Sequence, residues 1–288
     1  MRVADLLPKR DLLLAILGDM PSVAVAFSGG IDSTVVAKAA HLALGDRAVA
    51  VTADSPSVAR RELTEACELA RLIGIRHVVV PTREFDNPEY AKNDGSRCYH
   101  CKTELYSTVQ WLLPELGVAL MASGANLDDR GDYRPGLAAA AEHAVRHPLQ
   151  EAGFTKADVR ALALLWELPT WDKPASPCLA SRLAPGVAAT PERVERVERA
   201  EAVLRELGAR EGRVRYHEGE VARVEVPVAD VARFAADPVR TELARALRAL
   251  GFKFVALDLD GFRSGSLNEL VPLGVRSAFS TPQTPATA

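Results

Sequence analysis

The chain has 288 residues, 48% of them apolar, with 35 basic side chains against 38 acidic ones and a net charge of −3. That length and apolar content predict two modest cores, and the balanced charge excludes the basic excess with which nucleic-acid-binding proteins neutralise phosphate backbones. No signal-like pattern opens the chain and no apolar run approaches the roughly 18 residues of a membrane span, so a soluble cytoplasmic protein without a nucleic-acid or membrane partner is expected.

The first half alternates short apolar runs with helical stretches, the pattern of an α/β fold with a parallel sheet covered on both faces. Strands are predicted over residues 23–27 (VAVAF), 48–53 (AVAVTA), 77–81 (HVVVP) and 118–124 (VALMASG). Between them STVVAKAAHLAL, ARRELTEACELARLIG and KTELYSTVQWLLPELG carry apolar residues at helical spacing, and TKADVRALALLWELP adds a further helix ending at Pro169. The Pro- and Ser-rich stretch 171–186, WDKPASPCLASRLAPG, reads as an ordered loop joining two domains. Beyond it, TPERVERVERAEAVLRELG is a helix capped by Thr190, followed by strands RVRYH and VARVEVP, a helix near residues 238–250 and a strand KFVALDLD. The expected division is a domain over 1–182, a small α+β domain over 183–273 that binds substrate or builds an oligomer, and a disordered tail over 274–288. No internal repeat is present.

VAVAFSGGIDST interrupts its first strand with Ser28, Gly29 and Gly30. Two glycines let the backbone turn tightly and aim several N–H groups into one concavity, and the helix that follows adds its positive N-terminal end. Such a nest binds an anion, with phosphate the commonest. Ser28 and Ser33 can donate to phosphate oxygens, whereas Asp32 would repel bare phosphate and so suggests a Mg²⁺ ligand. The plainer alternative is a strand-to-helix turn in which Asp32 and Ser33 only cap the helix. The lysine of a G-x-x-x-x-G-K-[ST] loop is absent. Asp54 ends the second strand and Gly124 the fourth, where an α/β sheet places its ligands. Asp128, Asp129, Arg130 and Asp132 follow Gly124, and singly they read as a solvated loop.

Four cysteines are too few for a disulfide scaffold. Cys98 and Cys101 form a C-x-x-C pair in RCYHCK, and Cys178 lies apart in SPCLASR. Three thiolates can hold a metal or cluster, with a [4Fe-4S] cluster keeping one iron open for sulfur chemistry. A redox dithiol, a zinc site using His100 and ordinary cysteines are the alternatives. Cys67, on the apolar face of a helix with Leu63 and Ala70, reads as core. Lys173 and Arg182 could supply positive charge to Cys178. Arg213 and Arg215, two apart on a strand, share one face, and with Ser181 and Arg182 could hold a phosphate, unless they are a solvated face paired with Glu218 or Glu225. Trp166 and Trp171 read as packing.

The loop SGGIDS resembles the pyrophosphatase loop of the PP-loop ATP pyrophosphatases, an adenine nucleotide alpha hydrolase-like fold. The resemblance implies that Ser28, Gly29, Gly30, Asp32 and Ser33 hold pyrophosphate and Mg²⁺, with Asp54 and Ser55 beside the adenosine and Ser123 and Gly124 near the nucleotide. Together with RCYHCK, GANLDDRGDYRPG, HPL before TKADVR, and LPTWDKPASPCLASRL, the chain is similar, over about residues 10–272, to the LarE family. Members of this family are ATP-dependent sulfur transferases of nickel-pincer nucleotide biosynthesis, which serves lactate racemase. The family implies a homo-oligomer that adenylates a carboxylate of pyridinium-3,5-biscarboxylic acid mononucleotide, releases pyrophosphate, and lets a sulfur donor displace AMP. Members with the added C-x-x-C resemble cluster enzymes, so Cys98, Cys101 and Cys178 are expected to hold [4Fe-4S]. A sacrificial Cys178 is the alternative donor. An ammonia-using amidotransferase like the NAD or GMP synthetases leaves the cysteines without a role, a tRNA-thiolating enzyme lacks its basic domain here, and a nucleotide-binding regulatory module would release no pyrophosphate.

Overall fold

The computed structural model describes residues 3–129, 134–263, 265–271 and 274–275. The chain divides into two units, one built on the residues up to Glu84 together with Cys98–Ser176, the other on Phe85–Arg97 and the described residues from Pro177 onward. Of the tail expected to be disordered, only 274 and 275, in a helical turn, are among the described residues.

In the first unit the elements run α1 (Val3–Gly18), β1 (Val23–Ala26), α2 (Ile31–Leu44), β2 (Ala48–Asp54), α3 (Arg60–Ile73) and β3 (Arg76–Pro81). After α4 (Pro88–Lys92), which belongs to the second unit, come α5 (Arg97–Leu116), β4 (Leu120–Ala122), α6 (Pro135–Glu142), α7 (Pro148–Glu151) and α8 (Lys156–Leu165). The four strands form a parallel sheet in the order β3-β2-β1-β4. Their sequences read as nearly continuous apolar runs because both faces are covered. Val23, Val25, Ala48 and Ala50 face one core with Leu13, Val35 and Leu162, while Ala24, Val49 and Val51 face another with Leu105, Tyr106 and Val109. Full burial of each valine or leucine among them contributes about 1.5–3 kcal/mol, and of each alanine less. The chain reverses direction across the sheet between β1 and β4, and α/β sheets bind ligands at this switch point, beyond the strands' C-terminal ends.

Several bounds differ from the sequence reading. The helix α2 begins at Ile31, two residues early, because extended Gly30 already serves as its N-cap. Five residues earlier than predicted, α5 takes both cysteines of the C-x-x-C into its first turns. Only Leu120–Ala122 of the fourth predicted strand pair in the sheet, and α1 lay outside the reading altogether.

Thr155 opens α8 with a capping box: its hydroxyl accepts the Asp158 N–H while the Asp158 carboxylate accepts the Thr155 N–H. Asp158 also pairs with Lys9 at 2.7 Å. Burial alone would raise its pKa, but the bonds from Lys9 and Thr155 outweigh that and hold the carboxyl below its ordinary value. A carboxyl depressed in the folded state stabilises above its unfolded pKa, and loses that contribution as pH falls through the folded value. Asp158→Asn should therefore lower the melting temperature at pH 7 by a cap's worth, about 1 kcal/mol, and flatten its decline below about pH 4, as read from melts between pH 7 and 3.

The second unit carries α9 (Pro191–Glu206), β5 (Arg213–His217), β6 (Val221–Glu225), α10 (Val228–Ala235), α11 (Val239–Ala249) and β7 (Phe254–Leu257). Its sheet, β5-β6-β7, is mixed: β5 and β6 are antiparallel, β6 and β7 parallel. Val194, Val197, Leu204, Val214, Tyr216, Val224, Phe234 and Leu247 are buried in this unit. The segment Phe85–Arg97 joins it through buried Asn93, whose amide donates to the carbonyls of Ala184 and Val187, both at 2.9 Å. No described helix is long and apolar enough to cross a membrane.

Candidate active site

The loop after β1 is an uncapped helix entrance. Gly29 has φ +68°, a left-handed conformation that favours glycine, and a Cβ there would lie 3.2 Å from Ala66 of α3. Gly30 stands at the N-cap without a side chain, so no side-chain oxygen meets the amides of Ile31, Asp32 and Ser33, the first three of the helix, which have no intrahelical acceptor. Thr155, Thr190 and Asn87 cap α8, α9 and α4, whereas α3, α6, α7, α10 and α11 share with α2 the absence of a side-chain cap; what α2 adds is the glycine turn that precedes it. The Ser33 hydroxyl donates to Gly30 O at 3.0 Å and accepts the Ser28 N–H at 3.2 Å, which pins the loop and leaves amides and hydroxyls crowded at the helix's positive end.

Across the switch point, Ser123 and Gly124 leave β4 against this loop. A Cβ on Gly124 would sit 2.7 Å from Ser33 N and 2.9 Å from the Asp32 carbonyl carbon, so the backbones approach more closely than any side chain permits. Gly124→Ala should displace the loop and weaken its binding of pyrophosphate, the anion expected from the sequence, by about tenfold, a hydrogen bond's worth, as read by calorimetry; an unchanged affinity would show that the close approach has no bearing on the site.

Two residues absent from the sequence reading complete the cluster. Lys156, the first residue of α8, forms an ion pair with Asp32 Oδ2, and the Asn126 amide donates to Asp32 Oδ1 at 2.9 Å. Asp128 and Asp129 accept the backbone N–H groups of Lys156 and Asn126 and so brace the cluster, Asp128 from an exposed position and Asp129 half-buried. Arg130 and Asp132 lie outside the described residues. At the end of β2, Asp54 pairs with Arg60 at 2.6 Å and Ser55 is buried.

Lys173, expected to serve Cys178, has its ammonium 2.8 Å from both Glu62 and Glu65 of α3. Burial would lower the Lys173 pKa, but its bonds to the two carboxylates raise it; burial would likewise raise that of Glu62, and Lys173 with Ser176 brings it down.

The C-x-x-C pair lies at the start of α5 in the first unit, its thiols one turn apart and hence on one face, Cys98 exposed and Cys101 half-buried. Cys178, half-buried and free, belongs to the second unit. Within either unit the described residues gather no group of three or more His, Cys, Asp or Glu side chains suited to a metal ion. Cys67 is free and half-buried on α3.

Around Cys178 the second unit is heavily hydrogen-bonded. Cys178 caps the turn Leu179–Arg182; its carbonyl accepts from the Ser181 hydroxyl at 2.6 Å and from Arg182 at 3.0 Å, and Arg182 also donates to the Pro177 carbonyl. The guanidinium of Arg182 is buried on Glu201 at 3.0 Å. Arg215 is buried too, 2.8 Å from Glu225, which also binds Arg223 at 3.1 Å. Arg213 differs: it lies over the Phe262 ring at 5.0 Å and donates to Gly212 O, with no carboxylate partner among the described residues. Burial, and then the neighbouring Arg182, push its pKa down.

Comparison with known proteins fits this geometry. The NAD synthase family model matches residues 18–94, the stretch from β1 through α4 that carries the loop. The chain is 39% identical over 280 residues to the pyridinium-3,5-bisthiocarboxylic acid mononucleotide synthase of Lactiplantibacillus plantarum, covering 96% of this chain and all of the relative. It belongs to that LarE family. A protein of Synechocystis sp. is 45% identical over 263 residues, 91% of this chain and 98% of its own, and the tRNA-specific 2-thiouridylase MnmA of Xanthobacter autotrophicus is 33% identical over 193 residues, about half of either chain.

As a LarE-family member the chain is an ATP-dependent enzyme of the PP-loop ATP pyrophosphatase kind. Within the first unit the fold brings together Ser28, Gly29, Gly30, Asp32, Ser33 and Gly124, joined by Lys156 and Asn126. Within the second it brings together Cys178, Ser181, Arg182 and Arg215. The signal for Lys156 was in TKADVR, whose threonine and aspartate announce a helix start and place the lysine in its first turn.

Proposed function

We propose that this LarE-family enzyme adenylates a carboxylate of pyridinium-3,5-biscarboxylic acid mononucleotide and replaces one of its oxygens with sulfur, working in the cytoplasm. The observation that carries this reading is the uncapped entrance of α2, with Asp32 and Lys156 at its rim, in a chain whose relative along its whole length is named for that product. The carboxylate oxygen attacks the α-phosphorus of ATP, the bond to the bridging oxygen breaks, and pyrophosphate leaves. The amides of Ile31–Ser33 and the hydroxyls of Ser28 and Ser33 would receive the β and γ phosphates, and Lys156 would meet the charge that grows on them. Asp32 fits a Mg²⁺ ligand provided that Lys156 or Asn126 yields one carboxylate oxygen.

A sulfur nucleophile then attacks the acyl-adenylate carbon and AMP departs. Two accessible thiols one helical turn apart, Cys98 and Cys101, fit a pair of [4Fe-4S] ligands, and Cys178 is the third candidate. When bound, such a cluster would supply a sulfide at the iron that no cysteine holds. Arg182, tied to the backbone of residues 177 and 178, acts as a positioning residue for Cys178. Arg182 and Arg215 are already neutralised by Glu201 and Glu225, which leaves Arg213 as the guanidinium best able to take the mononucleotide's phosphate, while Ser181, whose carbonyl accepts from Arg215, is the hydroxyl candidate in the same unit. The test is release of pyrophosphate and AMP in equal amounts, dependent on the pyridinium mononucleotide. No release with any acceptor would make the chain a nucleotide-binding module.

A further inference from the structure

An anion nest must present N–H groups to its ligand, so the carbonyl oxygens of the same loop need donors elsewhere. In the loop after β1, Phe27 O accepts from the Thr52 hydroxyl at 2.7 Å. Gly30 O accepts from the Thr34 N–H at 2.9 Å and from the Ser33 and Thr34 hydroxyls at 3.0 and 2.8 Å. Gly29 O has Lys173, whose ammonium donates to it from 3.4 Å.

That last bond falls where side chains constrain the loop least. The peptide between Gly29 and Gly30 has no side chain on either flank, so it can face either way at little cost. Its N–H lies 3.3 Å from Ser28 Oγ, and its carbonyl meets Lys173. Reversed, it would turn its oxygen toward the Ser28 hydroxyl, on the side where phosphate is expected, and repel the anion. Lys173 is itself held fast. Its ammonium sits 2.8 Å from Glu62 and 2.8 Å from Glu65 on α3, and Glu62 also accepts the Ser176 hydroxyl at 3.0 Å. Its N–H donates to Thr170 O at 3.1 Å, while Arg160 of α8 donates to the carbonyls of Trp171 at 3.0 Å and of Lys173 at 3.4 Å. The pKa of Lys173 is raised and that of Glu62 lowered, so both are charged at neutral pH, and with the half-buried carboxylate of Glu65 the trio carries one net negative charge. As a charge, such a trio does nothing to attract an anion; what it offers the loop is position.

We propose that Lys173 is a positioning residue of the loop: clamped by Glu62 and Glu65, it holds the Gly29 carbonyl and keeps the Gly29–Gly30 peptide facing the way that pyrophosphate binding requires. The inference rests on the reading of the loop as the pyrophosphate site. Calorimetric binding of inorganic pyrophosphate to the full chain tests it, for wild type, for Lys173→Arg, and for Lys173→Met combined with Glu65→Gln. The combined variant leaves the trio's net charge unchanged, so an action through charge alone would leave the affinity unchanged too. The expected result is a loss of about tenfold, a hydrogen bond's worth. Lys173→Arg, which can still donate to Gly29 and to both carboxylates, should stay within about threefold of wild type, a rescue that general disorder of the segment would not allow. Should the combined variant fail to fold, adding Glu62→Gln to it, which removes the carboxylate left without its ammonium, carries the same prediction. Undiminished affinity in the folded variant would overturn the proposal, as would a loss in Lys173→Arg as large as that in the methionine variant. So would a crystal structure with pyrophosphate bound in which Lys173 has left Gly29 for the anion. A wild type that binds no pyrophosphate would overturn the reading of the loop and the proposal with it, whereas a wild type and variant that bind equally well would overturn the proposal alone.

Discussion

Replacing Lys156 with alanine is expected to slow pyrophosphate release by about 10²–10³-fold at saturating Mg-ATP, with a much smaller change in stability. Removing one group aimed at developing charge in a transition state costs about 2.7–4 kcal/mol, which sets that range. Lys156 also compensates Asp32, whose other partner is the neutral Asn126 amide. Without the ammonium, Asp32 would face the triphosphate with only the proposed Mg²⁺ to mediate. Its place in the first turn of α8 is secured by the Thr155–Asp158 capping box and by Asp128, neither of which depends on the lysine side chain, so the helix should persist in the variant. The measurement is steady-state pyrophosphate release beside a thermal melt. A rate within threefold of wild type would remove Lys156 from the chemistry and leave it a plain ion-pair partner.

Serine at Cys98 or Cys101 should have the larger consequence for product and almost none for the fold. Cys98 is exposed and Cys101 half-buried at the start of α5, and substitutions at such sites usually stay within about 0.5 kcal/mol. Anaerobically prepared wild type is expected to carry about four irons per chain, and either serine variant should lose them together with the thiocarboxylate product. In the proposed reaction adenylation draws on the loop after β1, so pyrophosphate and the acyl-adenylate should still form in either variant, without the release of AMP that sulfur attack brings. If instead both variants make product at the wild-type rate while Cys178 becomes lighter by the elements of hydrogen sulfide, the sulfur comes from Cys178 itself.

Residues that act through local geometry were legible in the sequence. VAVAF ending in SGG announced a buried strand that turns sharply into a helix, because burial on both faces demands apolar continuity and the turn demands Gly29 at positive φ; that the helix has no side-chain cap at Gly30 was not legible, since Asp32 and Ser33 offered themselves as caps. The C-x-x-C spacing announced two thiols on one face. What escaped depends on contacts far apart in the chain. Lys156 meets Asp32 across 124 residues and Asn93 meets Val187 across 94, and no local period encodes either partnership. The arginines of β5 show the same limit at short range. Period two places Arg213 and Arg215 on one face, yet their environments diverge: Glu225 stands opposite Arg213 in the strand register but takes the guanidinium of Arg215 diagonally, leaving Arg213 over Phe262. Alternation tells which face a residue occupies; which carboxylate it meets there is decided by the side chains' reach.

The mass of the nucleotide product tests the proposed chemistry most directly. Chain prepared without oxygen, given Mg-ATP, pyridinium-3,5-biscarboxylic acid mononucleotide and a sulfide source, should convert the nucleotide to one heavier by the difference between a sulfur and an oxygen atom, with one AMP formed per exchange. A nucleotide left unchanged while ATP is consumed, or one converted to an amide when ammonia is supplied, would contradict sulfur transfer.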